Sequence, residues 1–126
     1  MAFSLLLVED NERTRENILD VLAKTPFQIT TAVDGLDGLN LAKLGCFDMV
    51  LIDHKMPLMD GMLLLKNLRE EAKYANVPLL LMTTSDPEQI AEKAKRLGAD
   101  LVLGKPLDMD LLLLKIRQYT QESVVA

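Results

Sequence analysis

The chain has 126 residues, the size of one ordinary domain, and its 49% hydrophobic and 26% charged residues indicate a folded globular protein. With a formal net charge of −5 and no cluster of lysine and arginine, direct nucleic-acid binding is not expected. The single cysteine, Cys46, excludes an internal disulfide and is interpreted as a small buried hydrophobic residue. The sequence contains no signal-peptide pattern and no apolar run of the ~20 residues that a membrane helix needs, so we expect a cytoplasmic protein. We assign residues 1–126 to a single domain.

Two strand–helix pairs are predicted in the first half of the chain. The first apolar run is nearly continuous, which favours a strand buried on both faces, and Pro26 ends the helix that follows because proline removes an amide donor. The second strand alternates polar and apolar residues, as expected at the edge of a sheet. The predicted elements are strand Ser4–Val8, helix Glu12–Lys24, strand Gln28–Val33 and a helix from Gly35 to about Gly45.

Three further pairs are predicted in the second half. Asp86 is suited to cap a helix whose first residue is Pro87, and Asp108 is suited to cap the last helix. The predicted elements are strand Met49–Ile52, a helix from Gly61 to about Ala72, strand Leu79–Met82, a helix from Pro87 to Gly98, strand Leu101–Leu103 and a helix ending near Tyr119.

Strands that alternate with helices predict an α/β fold, a doubly wound parallel sheet with helices on both faces. Ligands of such sheets bind beyond the carboxyl ends of the strands. The polar residues that follow or end the predicted strands are Glu9, Asp10, Asp53, Thr83 and Lys105. If these residues converge, strands 1, 3, 4 and 5 are neighbours in that order and strand 2 lies outside strand 1.

The three carboxylates of this set would repel one another without a cation. Oxygen ligands with open positions suit Mg²⁺, which retains water and binds phosphate oxygens. A carboxylate beside Mg²⁺ is able to attack phosphorus and form an acyl phosphate. In that chemistry the Thr83 hydroxyl would donate to one phosphoryl oxygen and Lys105 would pair with another.

The segment from Val50 to Gly61 resembles the phosphorylation loop of response regulator receiver domains, in which an aspartate after an apolar strand precedes Met-Pro and Asp-Gly. Leu6-Leu7-Val8-Glu9-Asp10-Asn11 resembles the acidic pair of the same family. Thr83 and Lys105-Pro106 stand where that family has its switch hydroxyl and its lysine. The resemblance covers almost the whole chain and implies a flavodoxin-like (βα)5 sandwich with strand order 2-1-3-4-5.

The resemblance also implies a role for each matching residue. Asp53 would accept a phosphoryl group from the phosphohistidine of a histidine kinase or phosphotransfer protein. Mg²⁺ would be held by Glu9, Asp10, Asp53 and the backbone carbonyl of Lys55. Thr83 and Lys105 would contact the phosphoryl group, and the Lys105–Pro106 peptide would be cis. The signal would leave through the surface of helix 4, strand 5 and helix 5, toward an effector protein, an output domain or a second copy of the chain.

Three residues depart from the family pattern. Val102 replaces an aromatic residue that moves with the switch threonine in many relatives, which predicts that shifts of the strand 4–helix 4 loop and the exposed leucines carry the change instead. Thr84 is bulkier than the small residue usual there, and Lys55 lies near the path of an attacking water, so both should slow hydrolysis of the acyl phosphate.

Two other features lie outside the predicted site. His54, the only histidine, follows Asp53 directly, so strand alternation turns its side chain the opposite way, and we interpret it as structural or surface. The run Leu111–Leu114 cannot face one core, because successive helical residues are ~100° apart. At least one leucine should be exposed, either singly or as part of a partner surface.

Three other functions remain open alternatives. An aspartyl-phosphate phosphatase would share the chemistry, but enzymes of the dehalogenase-like class need a second carboxylate where this chain has Lys55. A flavin- or dinucleotide-binding module would need a glycine-rich loop after strand 1, where Glu9 and Asp10 would instead repel phosphate. A phosphorylation-independent adaptor is disfavoured by the intact set of site residues. We therefore expect no enzyme activity beyond the chain's own phosphorylation and dephosphorylation.

Overall fold

The computed structural model describes residues 3–125, and side chains through residue 120. Five parallel strands form one sheet in the order β2-β1-β3-β4-β5, which confirms the predicted doubly wound topology. The strands are β1 (Ser4–Val8), β2 (Gln28–Ala32), β3 (Met49–Asp53), β4 (Leu79–Thr83) and β5 (Leu101–Gly104). The helices are α1 (Glu12–Leu22), α2 (Gly35–Leu44), α3 (Gly61–Glu70), α4 (Pro87–Leu97) and α5 (Met109–Val125), with a 3₁₀ turn at Ala72–Tyr74.

Each face of the sheet contributes to its own hydrophobic core. Alternate residues of β1 and β3, such as Leu6 and Val50, pack with α2, α3 and α4. Their neighbours, such as Leu7 and Leu51, pack with α1 and α5. Because β1, β3 and β4 are covered on both faces, they are almost entirely apolar, as parallel strands buried on both sides should be.

Most predicted boundaries agree with the structure to within one or two residues. Asp53 and Thr83 are the last residues of β3 and β4, one residue beyond the predicted ends. Helix α5 continues past the predicted end at Tyr119 to Val125, in a segment that contains neither glycine nor proline. Helix α3 stops at Glu70, because Glu71 adopts an extended backbone and begins the 3₁₀ turn.

The interpretation of Cys46 as a buried residue was wrong. Cys46 is exposed in the connection between α2 and β3. Its neighbour Phe47 packs against the core instead. Across the described residues, none of the helices combines the length and the apolar composition that crossing a membrane requires.

Candidate functional site

Three carboxylates meet at the carboxyl edge of the sheet. One oxygen from each of Glu9, Asp10 and Asp53 lies within 4.8 Å of the others. Glu9 is fully buried, Asp53 is nearly so, and Asp10 is exposed, so the cluster opens to solvent on one side. The ends of the adjacent strands β1 and β3 bring these residues together, as the topology predicted.

Lys105 joins two of the carboxylates. Its Nζ atom donates to Glu9 Oε1 at 2.6 Å and to Asp53 Oδ1 at 2.9 Å. The side chain approaches from the loop after β5, where the Lys105–Pro106 peptide is cis, as predicted. A buried ion pair of this kind compensates part of the cost of removing two carboxylates from water.

Burial, together with the charges that surround each group, alters the proton affinities of the cluster. Burial raises the pKa of Asp53 above its ordinary value, and Glu9 adds to the rise while contacts with Asp10 and Lys105 oppose it. Burial and the neighbouring Asp53 also raise the pKa of Asp10. Burial alone would lower the pKa of Lys105, but its contacts with Glu9 and Asp53 outweigh that effect and raise it. Asp10 and Asp53 therefore hold their protons more tightly than isolated aspartates do.

Thr83 is fully buried at the end of β4, beside His54. Its Oγ1 atom lies 2.8 Å from His54 Nδ1 and accepts a hydrogen bond from the Ser85 backbone N–H at 3.0 Å. His54 thus contacts a predicted site residue, which its interpretation as structural or surface did not anticipate. The register between the two strands explains the contact: because Asp53 pairs with Met82, the residues that follow them, His54 and Thr83, are also neighbours.

The three residues that depart from the family pattern lie in separate parts of the fold. Thr84 is exposed and lines a cavity of about 480 Å³ that Lys105 also lines, between α1 and the loops after β4 and β5. Lys55 is exposed in the loop between β3 and α3. Val102 is partly buried in β5 and borders a smaller cavity of about 170 Å³ beside α4.

Asp60 and Gly61 shape the loop that leads from Asp53 into α3. The Asp60 carboxylate accepts the Leu63 N–H at 2.9 Å and caps the helix. A Cβ atom on Gly61 would lie only 2.3 Å from the Asp53 carbonyl oxygen. Glycine therefore permits α3 to approach the end of β3 and fixes the loop that includes Lys55.

The leucine run of α5 divides as predicted. Leu112 is buried, whereas Leu111 and Leu114 are 41% and 53% exposed. These two residues are three apart on the helix and so lie on one side of it. More than one leucine is therefore exposed, and the pair forms an apolar surface.

Comparison with known proteins identifies the family. Residues 5–117 match the model of the response regulator receiver domain. The chain belongs to the response regulator receiver family. Receiver domains of this family interact with histidine kinases and output domains, and they bind Mg²⁺ at an acidic pocket. This chain has an acidic group formed by Glu9, Asp10 and Asp53.

Individual relatives agree with this assignment. The chain is 34% identical over 119 residues to the transcriptional regulatory protein DltR of Streptococcus agalactiae, covering 94% of this chain and 52% of the relative. It is 37% identical over 120 residues to the transcriptional activator protein PfeR of Pseudomonas aeruginosa, covering 90% and 38%. The chain thus spans about half or less of these relatives. The chemotaxis response regulator CheY4 of Vibrio cholerae has the same fold, with a TM-score of 0.88, 29% identity, and coverage of 94% of this chain and 99% of that one.

Proposed function

We propose that this receiver domain is a switch that is turned on by phosphorylation of Asp53. The observation that carries the proposal is the arrangement around this residue: a nearly buried aspartate ends a central strand, touches Lys105 and lies within a cluster of three carboxylates. An Asp53 oxygen would attack the phosphorus of a phosphohistidine. The phosphorus–nitrogen bond would break, its electron pair would pass to the imidazole nitrogen, and an acyl phosphate would form.

The donor set supports Mg²⁺ as the cofactor. All the groups are hard oxygen ligands, and the exposed Asp10 leaves one side of the cluster open to water and phosphate oxygens. Glu9, Asp10, Asp53 and the backbone carbonyl of Lys55 would hold the ion. When bound, Mg²⁺ neutralises the cluster and the charge of the transferred group.

The remaining site residues would recognise the phosphoryl group and pass on the signal. Lys105 would exchange its contact with Asp53 for one with a phosphoryl oxygen, and Thr83 would donate its hydroxyl hydrogen to another. The change would reach the α4–β5–α5 surface, which we propose as the contact with an effector protein, an output domain or a second copy of the chain. We propose the cytoplasm as its location, a histidine kinase or phosphotransfer protein as its donor, and no catalysis beyond its own phosphorylation and dephosphorylation.

Acetyl phosphate tests this proposal without a cognate kinase. The intact protein should gain the mass of one phosphoryl group when Mg²⁺ is present and none after chelation with EDTA. Asp53→Asn should gain none, whereas Asp48→Asn, at an exposed aspartate before β3, should behave as the wild type. Mg²⁺-dependent phosphorylation of the Asp53→Asn variant would refute the assignment.

A further inference from the structure

His54 and Thr83 lie on one side of the sheet, and Asp53 lies on the other. Thr83 continues the alternation of Leu79 and Leu81, which face the core under α2, α3 and α4. His54 continues Val50 and Ile52 on the same face. Asp53 continues Met49 and Leu51, which face α1 and α5. The two strands therefore place the Thr83 side chain beside His54 and on the face opposite the phosphorylation site.

The hydrogen bonds of the Thr83 hydroxyl are limited in number. A threonine hydroxyl has two lone pairs but only one hydrogen to donate. One lone pair accepts the Ser85 N–H, and the next short contact of the oxygen is with His54 Nδ1 at 2.8 Å. If the ring nitrogen is the acceptor, the only hydroxyl hydrogen is already in use and cannot reach a phosphoryl oxygen at the same time.

We propose that His54 is a positioning residue that holds Thr83 in the unphosphorylated state. In this inference, which rests on the proposed function of Asp53, Thr83 donates its hydroxyl hydrogen to Nδ1 of His54. Phosphorylation of Asp53 would have to break this bond before Thr83 donates to the phosphoryl group. The imidazole thus competes with the phosphoryl group for one hydrogen, and this competition sets how readily phosphorylation produces the active conformation.

The same bond connects the switch to a loop. Ser85 lies between β4 and α4, and its N–H is bound to the same oxygen as His54. When Thr83 leaves His54, the Ser85 backbone must follow the oxygen or lose its partner. In a chain with Val102 where relatives have a moving aromatic ring, this pair of hydrogen bonds provides a second route from Thr83 to α4.

Nuclear magnetic resonance tests the bond directly, because the only histidine of the chain gives a single imidazole signal. In the unphosphorylated wild type, the ¹⁵N shift of Nδ1 should be that of an unprotonated nitrogen accepting a hydrogen bond, and it should move in Thr83→Val. Beryllofluoride is a stable substitute for a phosphoryl group. Its addition with Mg²⁺ to the wild type should change the ¹⁵N shift of Nδ1 in the same direction as the Thr83→Val substitution does. A protonated Nδ1, or a shift that is the same with and without the Thr83 hydroxyl, would overturn the inference.

Binding measurements test the competition. His54→Leu should bind beryllofluoride about fivefold more tightly, the effect of removing one competing hydrogen bond. His54→Asn should return toward the wild-type affinity, because the side-chain oxygen of asparagine is able to accept in place of Nδ1. In a Thr83→Val background, His54→Leu should not change the affinity for beryllofluoride. The affinity for Mg²⁺ alone should be the same for the wild type and His54→Leu. Equal beryllofluoride affinity of wild type and His54→Leu would refute the competition.

The two proposals fail in different ways. A wild-type protein that binds no beryllofluoride in the presence of Mg²⁺ would overturn the proposed function. The comparison of the Nδ1 signal between the wild type and Thr83→Val needs no phosphoryl group and would still decide whether the bond exists. Should His54→Leu fail to fold, as seen from its thermal unfolding, the Nδ1 spectra of the wild type and of Thr83→Val remain decisive.

Discussion

Single residues at the carboxyl edge of the sheet carry charges that the fold only partly balances. Lys105 neutralises part of the negative charge of Glu9 and Asp53, and Asp10 has solvent on one side. The position of these residues at the carboxyl edge was predictable from the sequence, because each of them follows an apolar run that predicts a strand. The contact between His54 and Thr83 was not predicted, because alternation within one strand does not give the register between two.

The raised pKa values of Asp10 and Asp53 predict that Mg²⁺ binding depends on pH. As pH falls through these raised values, each carboxyl binds a proton and ceases to be an anionic ligand, so the Mg²⁺ dissociation constant should rise. Isothermal titration across this range checks the trend, with Asp10→Asn expected to weaken binding at every pH. A dissociation constant that stays unchanged as the two carboxyl groups titrate would contradict the metal site.

The same pKa shifts determine how the free energy of unfolding changes with pH. Without Mg²⁺, the unfolded chain releases these protons near pH 3.8 and the folded chain releases them at higher pH. The contribution of the two groups to stability is therefore complete below about pH 3.8 and is lost as pH rises through the folded values. Mg²⁺ should restore the loss, which urea unfolding at neutral pH with and without the ion will measure. Equal stability in both conditions would show that the cluster does not bind the ion.

The side chains of Lys55 and Thr84 should lengthen the lifetime of the phosphorylated state. Both side chains are exposed, Thr84 in the cavity that Lys105 also lines and Lys55 two residues after Asp53, and we expect them to crowd the approach of a water molecule to the acyl phosphate. Lys55→Ala and Thr84→Ala should therefore shorten the lifetime of the acyl phosphate several-fold. Mass spectrometry measures this lifetime from the decay of the phosphorylated species. Lys66→Ala, at an exposed lysine of α3, is the matched control. Lifetimes indistinguishable from that of the wild type in both variants would exclude the steric argument.

Among the secondary-structure elements, the strands were the most predictable part of the fold. Runs of large apolar residues define β1, β3 and β4 because burial on both faces excludes polar side chains there. The end of α3 was less predictable, because the following turn depends on distant contacts such as the Tyr74 hydroxyl donating to the Ala42 carbonyl at 2.6 Å. No local signal near residue 71 encodes that contact.

The loop between β4 and α4 should move on activation. Val102 has no ring to relocate, and Ser85 is hydrogen-bonded to Thr83, so the displacement should appear in residues 84–86 and the start of α4. Crystal structures with and without Mg²⁺ and beryllofluoride will measure it. Unchanged positions of Thr83 and this loop would contradict the prediction.

For the molecule as a whole, the alternating pattern of strands and helices predicted the doubly wound parallel sheet, whereas the strand order 2-1-3-4-5 was implied by the resemblance to receiver domains. Surface properties were harder to predict. The leucine run indicated that some residue of α5 must be exposed, but only the structure shows that Leu111 and Leu114 are exposed together. Exposed apolar pairs of this kind are common at protein contacts, yet they also occur without a partner.

The exposed surface of Leu111 and Leu114 leads us to expect that the activated domain associates. If they belong to the proposed dimer surface, Leu114→Lys should abolish a dimer that the wild type forms with Mg²⁺ and beryllofluoride, because the charge would be buried unpaired. Light scattering after size exclusion measures the mass. Leu44→Lys, at a leucine 86% exposed at the end of α2, should leave the dimer intact. A wild-type monomer in the activated state would refute the dimer.

The central claim is that Asp53, rather than either neighbouring carboxylate, accepts the phosphoryl group. Borohydride reduces an acyl phosphate and leaves a permanent mark on the modified side chain, which peptide mass spectrometry locates after treatment with acetyl phosphate and Mg²⁺. We predict a reduced residue at Asp53 and none at Glu9 or Asp10. A mark on Glu9 or Asp10, or none in a protein that has gained the phosphoryl mass, would contradict the account.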